Sequence, residues 1–129
     1  MSYYWELWGR RFSSPIILAS GTAGFGLELK EQDNLKGTAA VISKATTLKP
    51  APGNPPSRIV ETRFGLLNSI GLANPGVEEV LKTILPEAAE LPVPLIVNVA
   101  GETVDEFPAV VEKLEQSSVP IGYEINVSC

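Results

Sequence analysis

The sequence predicts an α/β protein built on a parallel sheet, and three observations carry that prediction. Four short runs are apolar on both of their alternating faces, as expected for parallel strands covered on two sides. Apolar stripes at helical spacing fall between the later runs. All four runs give way to polar or flexible residues at their C-terminal ends, which share one edge in such a sheet. The 129 residues fit one small domain or part of a larger one, and 44% apolar against 19% charged content implies a packed core rather than a disordered chain.

The elements follow in order. Tyr3 to Phe12 can form a small hairpin with Gly9 in its turn. The first apolar run is Pro15-Ile16-Ile17-Leu18-Ala19, leading into Ser20-Gly21-Thr22. Leu27 to Leu35 is a weaker helix candidate. Ala39-Ala40-Val41-Ile42-Ser43 is the second run, followed at once by Lys44. Lys49 to Gly71 is rich in proline and glycine and reads as one long loop, a kind of segment that tends to be functional in compact domains. Asn74-Pro75 is a helix start signal, with Asn as cap and Pro at a position that needs no donor. Val77, Val80, Leu81, Ile84 and Leu85 then make one stripe, which Pro86 interrupts.

Leu95-Ile96-Val97-Asn98-Val99 is the third run and ends at Ala100-Gly101. Thr103 and Glu106 have capping-box spacing before the stripe Phe107, Val110, Val111, Leu114. Pro108 fits a start at Thr103 imperfectly and moves the expected helix start toward Asp105. Tyr123-Glu124-Ile125-Asn126-Val127 is the fourth run, ending at Ser128-Cys129. The order β-α-β-loop-α-β-α-β implies right-handed parallel βαβ units.

Composition excludes several functions. A net charge of −5 without histidine argues against nucleic acid as a partner. One cysteine excludes an internal disulfide and paired thiolate ligands, so no metal site is expected. No secretory leader is visible and no apolar run approaches ~18 residues, so no membrane association is expected and the default location is the cytoplasm. Gly21, Gly24 and Gly26 do not have the spacing of a dinucleotide fingerprint.

Ser20-Gly21, Lys44, Asn98 and Asn126 with Cys129 are therefore expected to converge from four strand ends on one pocket. Each has a plainer reading alone. Lys44 can snorkel to solvent, Cys129 can be an inert buried thiol, and Asn68-Ser69 can be only a turn. Asn98 is harder to set aside, because an amide inside an apolar strand needs partners.

The strings themselves carry a resemblance. Ala19-Ser20-Gly21-Thr22-Ala23-Gly24-Phe25-Gly26, Ser43-Lys44-Ala45-Thr46-Thr47-Leu48-Lys49-Pro50, Gly53-Asn54-Pro55-Pro56 and Arg58-Ile59-Val60-Glu61-Thr62 occur in that order. Leu67-Asn68-Ser69-Ile70-Gly71-Leu72-Ala73-Asn74-Pro75-Gly76, Val97-Asn98-Val99-Ala100-Gly101 and Asn126-Val127-Ser128-Cys129 follow. Together, from about residue 15 onward, they resemble the dihydroorotate dehydrogenases, most of all the catalytic subunit of the NAD-linked class 1B enzymes. The cysteine is similar to that of class 1, since the membrane-associated class uses a serine base.

The resemblance implies a β/α (TIM) barrel with flavin mononucleotide (FMN) at its C-terminal face. Residues 1–129 would supply its N-terminal half, the first four strands, preceded by the short hairpin. It implies that Ala19, Ser20 and Gly21 line the flavin and that Lys44 lies between flavin and substrate carboxylate. Asn68-Ser69 and the backbone of Ile70, Gly71 and Leu72 would hold the dihydroorotate ring. Asn98 and Asn126 would contact flavin, Asn126 also substrate, and Cys129 would be the catalytic base. The implied activity is oxidation of dihydroorotate to orotate in pyrimidine biosynthesis. A homo-oligomer and, for class 1B, an FAD and iron–sulfur subunit are the implied partners.

A complete barrel needs roughly 250 residues. Family members continue after the cysteine with Pro-Asn, a second lysine and the loops that grip the flavin phosphate. The chain is thus expected to be a truncated gene product or an incomplete reading of its gene, poor in FMN binding and turnover by itself. The alternatives are a non-catalytic half-barrel that associates with itself or another chain, and part of a related pyrimidine-reducing flavoenzyme.

Overall fold

The computed structural model describes residues 4–32 and 35–128. It begins with an antiparallel hairpin of β1 (Trp5–Leu7) and β2 (Arg10–Phe12). Trp8 and Gly9 form its turn, both at positive φ (51° and 69°). Trp5 stacks on Phe12 with ring centroids 4.6 Å apart, and its indole Nε1 donates to the Ser14 carbonyl at 2.6 Å.

The centre is a four-stranded parallel sheet. It comprises β3 (Ile17–Leu18), β4 (Ala40–Ile42), β7 (Leu95–Val99) and β8 (Pro120–Ile125), adjacent in that order. Between β4 and β7 lies a separate antiparallel hairpin of β5 (Ile59–Thr62) and β6 (Gly65–Asn68), exposed along its whole length. This corrects the expectation of one long loop from Lys49 to Gly71, which instead contains this hairpin. The expected helix at Leu27–Leu35 is a 3₁₀ segment, Leu27–Gln32, and part of that range lies outside the described residues.

Strand alternation divides the packing into two layers. Val41, Leu95, Val97 and Val99 face the helices and join Val77, Val80, Leu85, Val110 and Leu114 in the main core. Ala40 and Ile96 face the other way, where Phe12 covers them with Trp5, Leu7 and Ile121 around it. The N-terminal hairpin therefore closes that second face only at the strands' N-terminal ends. Further along the same face Asn98 follows Ile96 on β7, and Glu124 lies opposite it on β8.

The helical run after the loop comprises α1 (Val77–Glu79), a π turn at Val80–Ile84 and α2 (Leu85–Ala88). Contrary to the expectation from sequence, Pro86 does not interrupt the run. It sits in the first turn of α2, and the Leu85 N–H reaches back five residues to the Val80 carbonyl. A wider turn suits the residue before it, because proline offers no N–H and crowds the carbonyl four positions earlier.

Two expected caps are also corrected. Asn74 is not the N-cap; the N-cap is Gly76, at φ 82°, whose own N–H donates to the Asn74 side chain. The third helix, α3 (Glu106–Leu114), has Asp105 as N-cap, and the Glu106 carboxylate takes the Glu102 N–H at 2.7 Å instead of pairing with Thr103. Among the described residues no helix is long and apolar enough to cross a membrane.

Candidate functional site

A cleft of about 820 Å³ opens at the C-terminal edge of the sheet. Its first wall follows β3. The Thr22 N–H and hydroxyl both donate to the Ala19 carbonyl, at 3.3 and 2.6 Å, folding Ser20-Gly21-Thr22 into a turn. Gly21 has φ 78°, and a Cβ built there meets nothing within 4 Å. The glycine thus leaves backbone bare against open space. Ser20 and Gly21 line the cleft; Ala19 is exposed but does not.

The second wall follows β4, where the ladder to β7 is interrupted. The Ser43 N–H donates to the Ile96 carbonyl (2.9 Å) and the Thr46 N–H to the Asn98 carbonyl (2.8 Å). Between them the Ser43 hydroxyl, not a backbone carbonyl, accepts the Asn98 N–H at 3.1 Å. Lys44 and Ala45 are displaced from the ladder and line the cleft, and the Lys44 N–H is tied to the Gly24 carbonyl at 2.7 Å.

The third wall is Asn68 with Ile70 to Ala73. It is clamped by the proline-rich segment. The Asn54 amide donates to the Ser69 hydroxyl (2.6 Å) and carbonyl (3.2 Å), while Arg58 donates to the Asn54 and Pro52 carbonyls at 2.6 and 2.8 Å. Ser69 is thus engaged by Asn54 and does not line the cleft. Gly71 has φ 72°, and a Cβ there would lie 2.7 Å from the Asn54 backbone nitrogen.

Asn74 ties this wall to the β4 side. Its Oδ1 accepts the Gly76 and Thr47 N–H groups at 2.9 and 3.2 Å, and its Nδ2 donates to the Leu72 carbonyl at 2.7 Å.

The fourth wall is a polar chain on β7 and β8. Asn98, 1% exposed, donates through Nδ2 to the Glu124 carboxylate. Its Oδ1 faces the Asn126 Nδ2 at 3.5 Å, and the Asn126 Oδ1 accepts the Ser128 N–H at 3.3 Å. Cys129, the expected base, lies outside the described residues.

Lys44, Asn68, Ile70, Gly71, Leu72, Asn98 and Asn126 therefore share the cleft with Ser20 and Gly21. Sequence reasoning missed Glu124, although a lone carboxylate in an otherwise apolar run was its signal. It also missed Asn54 and Asn74 as ties, which no local pattern marks.

Parallel strands with helices packed on one face and a polar cleft at their C-terminal ends define an α/β protein with its cleft where such sheets bind ligands. The family model for dihydroorotate dehydrogenase matches residues 3–129. The chain is 46% identical over 121 residues to the catalytic subunit of dihydroorotate dehydrogenase B (NAD(+)) of Desulforudis audaxviator (strain MP104C), covering 94% of this chain and 39% of that one. It is 47% identical over 124 residues to a putative dihydroorotate dehydrogenase A (fumarate) of Aquifex aeolicus (strain VF5), covering 96% and 40%. The crystal structure of the Eimeria tenella enzyme in complex with ferulenol superposes with a TM-score of 0.63 at 23% identity, over 85% of this chain and 33% of that one, a likeness of fold.

The chain belongs to the dihydroorotate dehydrogenase family. It spans about 40% of the length of the curated relatives it matches.

Proposed function

We propose that this cleft takes part in FMN-dependent oxidation of dihydroorotate to orotate, within a β/α barrel whose first four strands are β3, β4, β7 and β8. The observation that carries the proposal is the convergence of Lys44, Asn68, Asn98 and Asn126 from four segments of a family member on one cleft.

The residues fit the ring of a flavin. The volume lies in the range of small-molecule sites. Gly21 offers bare backbone beside open space, and Asn98 and Asn126 supply amide groups to match the polar edge of the ring. They fit the phosphate less well, because Lys44 is the only cation lining the cleft among the described residues. Bound there, FMN would supply the redox chemistry.

The chain's own groups would bind and orient substrate. The Lys44 ammonium complements the substrate carboxylate. Asn68 and the backbone of Ile70 to Leu72 present donors and acceptors to its amide edges. The clamp from Asn54 and Arg58 holds that wall in place. Cys129 would take the ring-carbon proton; a thiol with an ordinary pKa of ~8.5 needs only a modest downward shift to serve near neutral pH. The relatives include an NAD-linked catalytic subunit and a putative fumarate-linked enzyme, and this reading is compatible with either electron acceptor. An FAD and iron–sulfur subunit, a homo-oligomeric full-length form and a cytoplasmic location belong to this reading.

The test is complementation. The 129-residue protein is co-expressed with the remaining barrel strands of the Desulforudis relative, loaded with FMN, and mixed anaerobically with dihydroorotate. Bleaching of the flavin absorbance, lost in Cys129→Ala, is expected. A complex that holds FMN and is not bleached by dihydroorotate refutes the proposal.

A further inference from the structure

We propose that Glu124 is a positioning residue: it locks the Asn98 side-chain amide in one orientation, and so sets which polar atoms the Asn98–Asn126 pair turns toward a ligand in the cleft. A carboxylate accepts hydrogen bonds and does not donate them, whereas an amide has a donor end and an acceptor end. The Asn98 Nδ2 faces the Glu124 carboxylate, and its Oδ1 faces the Asn126 Nδ2. Rotating the amide by half a turn would oppose two acceptors on one side and two donors on the other. Asn98 is 1% exposed, so water offers little relief from that mismatch.

The lock continues along the chain. The Asn126 Oδ1 takes the Ser128 N–H, which turns the Asn126 Nδ2 back toward Asn98. One carboxylate thus fixes a polar pattern running from β8 through β7 and back to the segment after β8. The ligand side of the inference rests on the flavin reading above; the amide orientation does not.

Glu124→Gln separates this role from simple packing. Glutamine keeps the size and one acceptor, but its own amide can pair with Asn98 in either orientation. The experiment follows the side-chain amide resonances of Asn98 and Asn126 by ¹⁵N NMR in the 129-residue protein. Wild type is expected to show one Asn98 amide pair with slow solvent exchange. E124Q is expected to unfold at a similar temperature while the Asn98 amide splits or averages between two environments. Glu124→Ala is expected to shift both amides and to speed solvent exchange at Asn98.

FMN is then titrated into wild type and E124Q, each co-expressed with the remaining barrel strands of the Desulforudis relative, and followed by the same resonances. Two equally populated orientations would weaken apparent binding about twofold. A single Asn98 pair at wild-type shifts and exchange rates in E124Q overturns the inference. If FMN perturbs neither amide in wild type, the flavin reading fails and the amide pattern in E124Q still decides this one.

Discussion

Replacing Asn74 by alanine removes the hydrogen bonds that join the wall of the cleft to the β4 side. Three backbone groups lose their partner: the Gly76 and Thr47 N–H groups and the Leu72 carbonyl. Gly76 is buried, so its orphaned donor costs the unsatisfied amount, ~2 kcal/mol. Thr47 and Leu72 are half-buried and can gain water, so each loses nearer the net worth of a bond, ~1 kcal/mol. The loss comes to about 4 kcal/mol, a large share of the ~5–15 kcal/mol that holds a typical domain. Asn74→Asp keeps the acceptor for both N–H groups but sets an oxygen against the Leu72 carbonyl, so a loss of about 2 kcal/mol is expected. Urea denaturation followed by far-UV circular dichroism measures both variants. An N74A protein within about 1 kcal/mol of wild type, or N74D no better than N74A, would refute the view that the Asn74 side chain is the tie.

Three further outcomes are expected. Gly122→Ala places a Cβ 2.5 Å from Trp8 Cη2 and 3.1 Å from Cε3; Trp8 is 56% exposed and can swing outward, so a loss of about 1–2 kcal/mol is expected in thermal unfolding, and the Trp8→Ala background should abolish it. Lys44→Ala should leave the unfolding midpoint within the range of a surface change, about 0.5 kcal/mol, yet weaken orotate binding in the complemented barrel about tenfold or more in calorimetric titration. Burial raises the Tyr123 phenol well above its ordinary value of 10, and its hydrogen bond to Glu115 at 2.7 Å adds to the shift. The fold therefore favours the neutral phenol, and its contribution is present below pH ~10 and lost as pH rises further. Tyr123→Phe should remove the late-titrating tyrosinate absorbance and flatten the alkaline fall in stability.

Much of the architecture was legible because it rests on periodicity. The runs around Ile17-Leu18, Val41 and Leu95 to Val99 became neighbouring parallel strands, as doubly apolar runs between helical stripes imply. The β5–β6 hairpin was not legible. All eight of its residues are exposed, so burial imposed no alternation on them, and the Arg63-Phe64 connection lacks the Asn-Gly or Asp-Gly signal of a tight hairpin. Asn74 looked like a cap because asparagine before proline is a start signal. Instead the side chain serves the loop, and Gly76 at φ 82° makes the entry into α1.

The polar chain on β7 and β8 shows where sequence reading ends. Asn98 could be singled out alone, since a buried amide must find partners. Its partner could not, because Glu124 is 26 residues away and meets it only through strand register. That register contains a shift. Leu95 pairs with Pro120, but Val97 pairs with Tyr123 and Asn98 with Glu124, so β8 gains one residue across an irregularity between Leu95 and Val97. An uninterrupted ladder from Leu95 would have set Tyr123 beside Asn98. Tyr123 instead packs toward the helices and bonds Glu115. A one-residue slip sends each side chain to the opposite face. The chemistry of this wall therefore depends on a bulge as much as on the identity of any residue in it.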